Sequence, residues 1–279
     1  MSNTTEVMQM AIPTAPLASG YTIPYLGLGT WRLVGDDCAR IVRQALDLGY
    51  THIDTADMYG NHEQVGAGIR GVERSSFFLT TKVGPEHLRH DDTIAVCERS
   101  LRELGTDYLD MLLIHWPNAD VPMAETFEAM ADLTQRGLIR SAGVSNFVAA
   151  RLDEAVRISP VAICTNQVEF HPLLFQQSLL SFCGGRRVKV TAYSPLARTE
   201  ALGHPVILAV SEEIGRTPAQ VCLNWLVQKA IIVIPKASSE HRLRENMDIF
   251  DWSLTPEQQA RIDAIGEQRR LIRPDIAEF

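Results

Sequence analysis

The chain has no C-x-x-C pair, and its five cysteines, Cys38, Cys97, Cys164, Cys183 and Cys222, are scattered and odd in number. That spacing speaks against a zinc ribbon or a disulfide framework and leaves reduced thiols as the expected state. Basic residues are in deficit: 26 Lys and Arg stand against 34 Asp and Glu, a formal net charge of −8. A global positive field for nucleic acid is therefore absent, which leaves only a local basic pocket open. No apolar run reaches the roughly 18 residues that a membrane span needs. The opening "MSNTTEVMQM" holds one acid and no basic residue, so no secretory signal is expected and the cytoplasm is the expected compartment. Residues 1–7 are expected to be disordered. What the chain does have is apolar material, 46% of 279 residues, enough for a sizeable core.

Residues 66–71 read "GAGIRG", a literal G-x-G-x-x-G. The dinucleotide-binding form of that motif needs a strand directly before it and a helix opening at its glycines, so that the helix N-terminus faces a pyrophosphate. Here the preceding "MYGNHEQV" is polar and reads as a turn and a first helical turn, with Asn61 as N-cap. The nearest strand-like run follows the motif, so the glycines fall within a helix. The reading preferred here is small residues where helices pack closely, not a phosphate loop.

Eight short apolar β-type runs alternate with longer helical ones. The runs are "YLGLG" (25–29), "THI" (51–53), "FFLTT" (77–81), "LDMLLI" (109–114), "AGV" (142–144), "AICTN" (162–166), "VKVTA" (188–192) and "IIVI" (231–234). Helix punctuation is clear: "TPAQ" (217–220) and "TPEQ" (255–258) each combine a threonine N-cap, proline at the first position and a capping-box glutamine. "DLGY" (47–50) and "AIGE" (264–267) place glycine at helix ends. Eight βα units over about 250 residues predict an α/β fold, a (β/α)8 TIM barrel. No composition break or linker divides the chain, so residues 1–279 are expected to form one domain. Residues 8–24 are expected to fold as an N-terminal β-hairpin capping the barrel floor.

Chemistry in such barrels sits at the C-terminal strand ends. The residues there are Gly29, Thr30 and Trp31; Asp54, with Tyr59 beyond it; Lys82; His115 and Trp116; Ser145 and Asn146; Asn166 and Gln167; Tyr193 and Ser194; and Lys236. Each has a plain structural reading. An aspartate after a strand is most often a turn or N-cap residue, and a single His, Lys or Tyr there is commonly structural. The joint occurrence of Asp54, Tyr59, Lys82 and His115 on neighbouring strand ends is what points to chemistry. These groups suit proton donation to a carbonyl. A free tyrosine, with a pKa of about 10, is a poor acid at neutral pH. A nearby Lys82 ammonium, held by Asp54, would lower it. His115 would orient the substrate oxygen. No side chain supplies a hydride, so a reduced nicotinamide is the expected donor. A metal-dependent hydrolase on the same barrel fails: "HID" (52–54) puts His52 and Asp54 on one face, but the further histidine ligands are missing, and no metal site is expected.

At this point the residues resemble a known family. "DTADMYGNHEQVG" (54–66), "TTKV" (80–83), "LLIHWP" (112–117), "GVSNF" (143–147), "NQVEFHP" (166–172), "YSPL" (193–196) and "IPKASSEHRLRENM" (234–247) are similar, in order and spacing, to the aldo-keto reductases. The short bacterial members, such as the 2,5-diketo-D-gluconate reductases, are the nearest in character. The resemblance implies Asp54, Tyr59, Lys82 and His115 as the catalytic tetrad, with Tyr59 the general acid. It implies NADPH across the barrel mouth. Tyr193 would stack on the nicotinamide; Ser145, Asn146 and Gln167 would hold its carboxamide. Ser194 and Leu196 would lie along the diphosphate, with Gly29 and Thr30 at the rim. Lys236 and Arg242 would meet the 2′-phosphate, and Glu245 and Asn246 the adenine. Trp31 and Trp116 would wall the substrate pocket.

One position departs from the family pattern. Ala237 stands where a serine hydroxyl is usual beside the 2′-phosphate, with Ser238 and Ser239 as candidates to replace it. The Lys236 and Arg242 charges still favour NADPH over NADH. The segments after His115 and Tyr193 and the C-terminal tail are short, which implies an open pocket for small aldehydes, α-dicarbonyls, keto-sugars or bulkier ketones. Arg269, Arg270 and Arg273 would attract an acidic substrate or, on the plainer reading, belong to a solvated tail. Two alternatives share the fold: a redox-sensing binding protein and an alcohol dehydrogenase working in the oxidative direction. A closed barrel needs no partner to cover its strands, so a monomer is expected.

Overall fold

A computed structural model describes residues 11–279; the expectation for residues 1–7 lies outside the described residues. The strand-forming runs are short, β-branched and apolar, and they pair in parallel because a helix returns the chain after each one. The barrel strands are β3 (Leu28–Gly29), β4 (His52–Asp54), β5 (Phe78–Val83), β6 (Met111–Ile114), β7 (Ala142–Ser145), β8 (Ile163–Glu169), β9 (Lys189–Tyr193) and β10 (Ile232–Val233). They lie side by side in sequence order. A parallel bridge between Leu26 and Val233 joins the last strand to the first, with Gly27 N donating to Val233 O at 2.9 Å and Val233 N to Tyr25 O at 2.8 Å. The fold is the expected (β/α)8 barrel.

Before it, β1 (Thr14–Pro16) and β2 (Thr22–Pro24) form an antiparallel hairpin. Ala15, Leu17 and Ile23 pack with Phe78, Met111, Leu113, Cys164 and Ile232, most of them at the N-terminal ends of the barrel strands. The hairpin therefore plugs the floor, as the sequence suggests. Along β5 every residue is buried, but to two sides: Phe78 faces the floor cluster and Lys82 reaches Asp54 inside the barrel, whereas Leu79 and Val83 join the outer core under the helices. The strand period of two thus delivers lysine to the interior rim.

The α-helices of the described residues are α1 (Gly35–Asp47), α2 (His62–Ile69), α3 (His90–Leu104), α4 (Met123–Gln135), α5 (Ala149–Ile158), α6 (Gln177–Gly185), α7 (Pro205–Ile214), α8 (Pro218–Gln228), α9 (Glu240–Met247) and α10 (Pro256–Asp263). Both threonine capping boxes form, at Thr217 and Thr255. Gly49 turns left-handed after α1 (φ 96°), but Gly266 does not: α10 ends at Ala264. Gly66 and Gly68 lie in α2, where a Cβ would stand 2.8 Å from Glu103 O and 2.7 Å from Val42 respectively. Gly66 and Gly68 of "GAGIRG" therefore serve helix contacts with α3 and α1, while Gly71 turns in left-handed backbone beyond the helix (φ 77°). Asn61 occupies the N-cap position of α2 but makes no capping bond. Its amide instead donates to Thr30 O and Leu33 O and accepts from Thr55 Oγ1, since three buried partners from two neighbouring loops compete for one side chain. All five cysteines are buried and unpaired. No helix among the described residues is long and apolar enough to cross a membrane.

Candidate active site

The C-terminal ends of β4 and β5 bring Asp54 and Lys82 together. Lys82 Nζ lies 2.5 Å from Asp54 Oδ1 and 2.6 Å from Thr55 O. Gln167, from β8, donates to the other carboxylate oxygen at 2.8 Å. A three-residue helical turn, Asp57–Tyr59, follows β4 and presents the phenol; its hydroxyl is 3.5 Å from Lys82 Nζ. His115, directly after β6, packs edge-to-face on Tyr59 with ring centroids 5.6 Å apart. Four residues from three strand ends thus meet on one rim, as the sequence predicts.

The electrostatics correct one expectation. Tyr59 sits well above its ordinary pKa, through burial first and the Asp54 carboxylate second. Lys82, whose ammonium stands a full ångström closer to Asp54, does not bring the phenol below its ordinary value. Lys82 is itself lowered by burial, with Asp54 opposing that effect. His115 is pushed down to about 3 by burial and by the Lys82 charge, so it is a neutral imidazole at physiological pH. Its buried Nδ1 finds no partner, while the ring faces the cavity.

That cavity measures about 690 Å³ and runs from Tyr59, His115 and Trp116 across Tyr193 to Lys236, Arg242, Glu245 and Asn246. Gly29, Thr30, Trp31, Asn146, Gln167, Ser194 and Leu196 also line it. Three expected residues do not. Lys82 lies behind Asp54 and Tyr59, fully covered. Ser145 is buried in the wall, donating to Gln167 O at 2.8 Å. Ser238 is exposed before α9, whose N-cap is Ser239. Ala237 is 1% exposed and packs in the core, so position 237 turns away from the cavity. The wall amides are already engaged. Asn146, at φ 65°, donates to His115 O and Ser145 Oγ and accepts from the Tyr193 hydroxyl at 2.8 Å.

Sequence reasoning missed Arg32 and Arg198, which line the cavity and stack on Trp31 at 4.3 and 5.0 Å from its ring centre. A basic residue next to Trp31 was a visible signal for Arg32. Arg198 and Thr199 carried none, because they enter the cavity through left-handed backbone at non-glycine positions (φ 50° and 80°). None of the three tail arginines, Arg269, Arg270 and Arg273, lines the cavity. Arg269 pairs with Glu200, and Arg270 stacks on Phe279 and donates to Gln176. From the tail only Ile272 lines the cavity. The buried Glu169 holds it there by accepting the Leu271 and Ile272 amides at 2.8 and 2.9 Å.

The donor set fits a phosphorylated nucleotide. Four cations, Arg32, Arg198, Lys236 and Arg242, border one elongated cavity in a chain of net negative charge, an arrangement that draws anions into a cleft. Aromatic faces and the Tyr59 hydroxyl line the same cavity.

Comparison with known proteins agrees with this geometry. The sequence model of the aldo/keto reductase family matches residues 25–267. Glyoxal reductase of Bacillus subtilis is 40% identical over 92% of this chain and 94% of its own length. A 9,11-endoperoxide prostaglandin H2 reductase of Trypanosoma cruzi is 38% identical over 91% and 92%. A putative 2,5-diketo-D-gluconic acid reductase B superposes with a TM-score of 0.92 at 40% identity, covering 96% of each chain. A Bombyx mori aldo-keto reductase, solved in complex with NADP, superposes with a TM-score of 0.88 at 33% identity over 95% and 96%. With matches spanning nearly its whole length, the chain belongs to the aldo/keto reductase family.

Proposed function

We propose that the protein is an NADPH-dependent carbonyl reductase that converts small aldehydes, α-dicarbonyls or keto-sugars to alcohols, with Tyr59 as the proton donor. One observation carries the reading: the phenol, the buried Lys82–Asp54 pair and the neutral His115 stand together at a cavity that four cations also border. Relatives solved with NADP and NADPH support the cofactor, and the glyoxal and diketogluconate reductases support the substrate class.

A reduced nicotinamide, when bound, supplies a hydride to the carbonyl carbon. The protein's part is the proton and the geometry. The Tyr59 hydroxyl, held in its protonated form, gives its proton to the carbonyl oxygen as that oxygen gains charge. His115 hydrogen-bonds the same oxygen and orients it. Lys82 stands behind the tyrosine and supports the phenolate left after transfer. Asp54 keeps Lys82 charged within a buried site, and Gln167 satisfies the second carboxylate oxygen. Lys236 and Arg242 would hold the 2′-phosphate, Ser194 and Leu196 the diphosphate strand, and Glu245 and Asn246 the adenine. Tyr193 would offer its ring to the nicotinamide and Asn146 and Gln167 would hold its carboxamide, with Gly29 and Thr30 at the rim. Trp31 and Trp116 wall the carbonyl site. A cytoplasmic monomer belongs to the same proposal, supported by five unpaired buried thiols and a barrel without a free sheet edge.

The test is NADPH oxidation by purified protein across aldehydes, α-dicarbonyls, keto-sugars and bulky ketones, with NADPH and NADH binding measured alongside. Turnover with tighter binding of NADPH supports the reading. Absence of binding by either nucleotide overturns it.

A further inference from the structure

The position of Tyr59 is not fixed by its own hydroxyl. That group's polar contact is Lys82 Nζ at 3.5 Å, long for a hydrogen bond. The phenol is placed by the backbone that carries it, the Asp57–Tyr59 turn, which ends on Gly60 in left-handed backbone (φ 61°). A short turn before a left-handed glycine has little stiffness of its own, so its anchors matter.

Those anchors come from α3, outside the barrel. Arg99 Nη2 lies 2.8 Å from both carboxylate oxygens of Asp57, two residues before the phenol. Arg99 Nε stands 3.7 Å from Glu103 Oε1, and Glu103 Oε2 is 3.1 Å from His62 Nδ1. His62, three residues after the phenol, reaches Thr81 Oγ1 through Nε2 at 2.8 Å, and Thr81 precedes Lys82 on β5. The Asp57 and His62 side chains are 12% and 2% exposed and Arg99 is 42% exposed, so the carboxylate end of the clamp is enclosed while solvent reaches the guanidinium. Ligand atoms of Asp57, His62 and Glu103 fall within 4.8 Å of one another, a spacing that could hold a metal ion. Arg99 already supplies the cation against Asp57.

We propose that Arg99 is a positioning residue for Tyr59: by clamping Asp57 it holds the proton donor at the distance from Lys82 and the carbonyl site that proton transfer needs. The proposal rests on Tyr59 being the general acid. Among the described residues the polar contacts of Arg99 are with Asp57 and Glu103, neither of which lines the cavity, so its removal is expected to leave the nucleotide site intact.

The test uses the full chain with Arg99→Met, Arg99→Lys and Asp57→Asn. Arg136→Met serves as a control, because Arg136 pairs with Glu98 on the same helix but away from the turn. Site-specific 3-fluorotyrosine at position 59 reports its surroundings by fluorine NMR without substrate. Arg99→Met is expected to lower kcat by about ten- to a hundredfold, the scale of an ångström-level misplacement. The KM for the carbonyl and the Kd for NADPH are expected to stay near wild type. The fluorine resonance is expected to shift or broaden, and the alkaline limb of the pH–rate profile to move. Arg99→Lys is expected to restore much of each, and Asp57→Asn combined with Arg99→Met to cost little more than either alone. An unmoved resonance, an unchanged kcat, or an equal loss in Arg136→Met overturns the proposal. If the wild-type protein reduces no carbonyl, the reductase reading fails on its own account, and the fluorine resonance still decides whether Arg99 fixes Tyr59.

Discussion

The Lys82 ammonium stands 2.5 Å from Asp54 Oδ1, and the two side chains are 0% and 2% exposed. A pair so enclosed is costly to break, because the survivor keeps its charge without water or partner. Lys82→Met is expected to destabilise the protein by about 3–5 kcal/mol in urea unfolding, and K82M combined with D54N to recover part of that loss. Strictly additive penalties in the two single variants and the double variant would contradict the pairing.

The glycines of "GAGIRG" give a second prediction. Gly68→Ala would set a methyl 2.7 Å from Val42 and 2.8 Å from Ala39 O. Forced overpacking of this kind costs about 1–3 kcal/mol, while NADPH affinity is expected to stay unchanged. Selective loss of NADPH binding with stability intact would return the motif to a phosphate role.

Position 237 gives a third. Ala237→Ser would bury a hydroxyl among core side chains instead of turning it to the cavity. Thermal unfolding is expected to show a loss of about 1–3 kcal/mol, with no gain in NADPH affinity. Arg242→Met, by contrast, is expected to weaken NADPH by about ten- to a hundredfold, the scale of a charge-assisted contact, and to leave NADH unchanged. Equal losses for the two nucleotides would move Arg242 away from the 2′-phosphate.

Acid stability follows from His52, buried at 1% exposure and held at about 4 by that burial. Its folded-state value lies below the unfolded one of about 6.5. As pH falls through that range the unfolded chain takes up the proton first, so stability declines from about pH 6.5 and levels near 4. His115, at about 3, acts in the same direction. The His52 contribution is about 3 kcal/mol in full. Urea midpoints against pH for wild type and His52→Leu check this: the variant is expected to show a shallower acid slope, and equal slopes would refute the assignment.

Much of this was legible in the sequence for identifiable reasons. The eight strands are short apolar runs between Gly, Pro and Asn punctuation, and the Thr217 and Thr255 boxes spell their own helix starts. Asp54, Lys82 and His115 directly end or follow strands, so a barrel reading alone brings them to one rim. What escaped depends on contacts between distant segments. The bond from Gln167 to Asp54 spans 113 residues, and nothing local marks it. Asn61 reads as a cap but is captured by Thr30, Leu33 and Thr55. Arg198 enters the cavity through left-handed backbone that no glycine announces. The upward displacement of Tyr59 follows first from burial in the assembled barrel and second from the Asp54 carboxylate, neither of which any spacing in the sequence encodes.

Tyr59→Phe tests the central claim most directly. The ring would keep its packing on His115 and lose only the hydroxyl. Single-turnover reduction with bound NADPH is expected to slow by about 10²–10⁴-fold, the usual worth of a general acid, with the NADPH Kd unchanged. Hydride transfer at the wild-type rate in that variant would contradict Tyr59 as the proton donor.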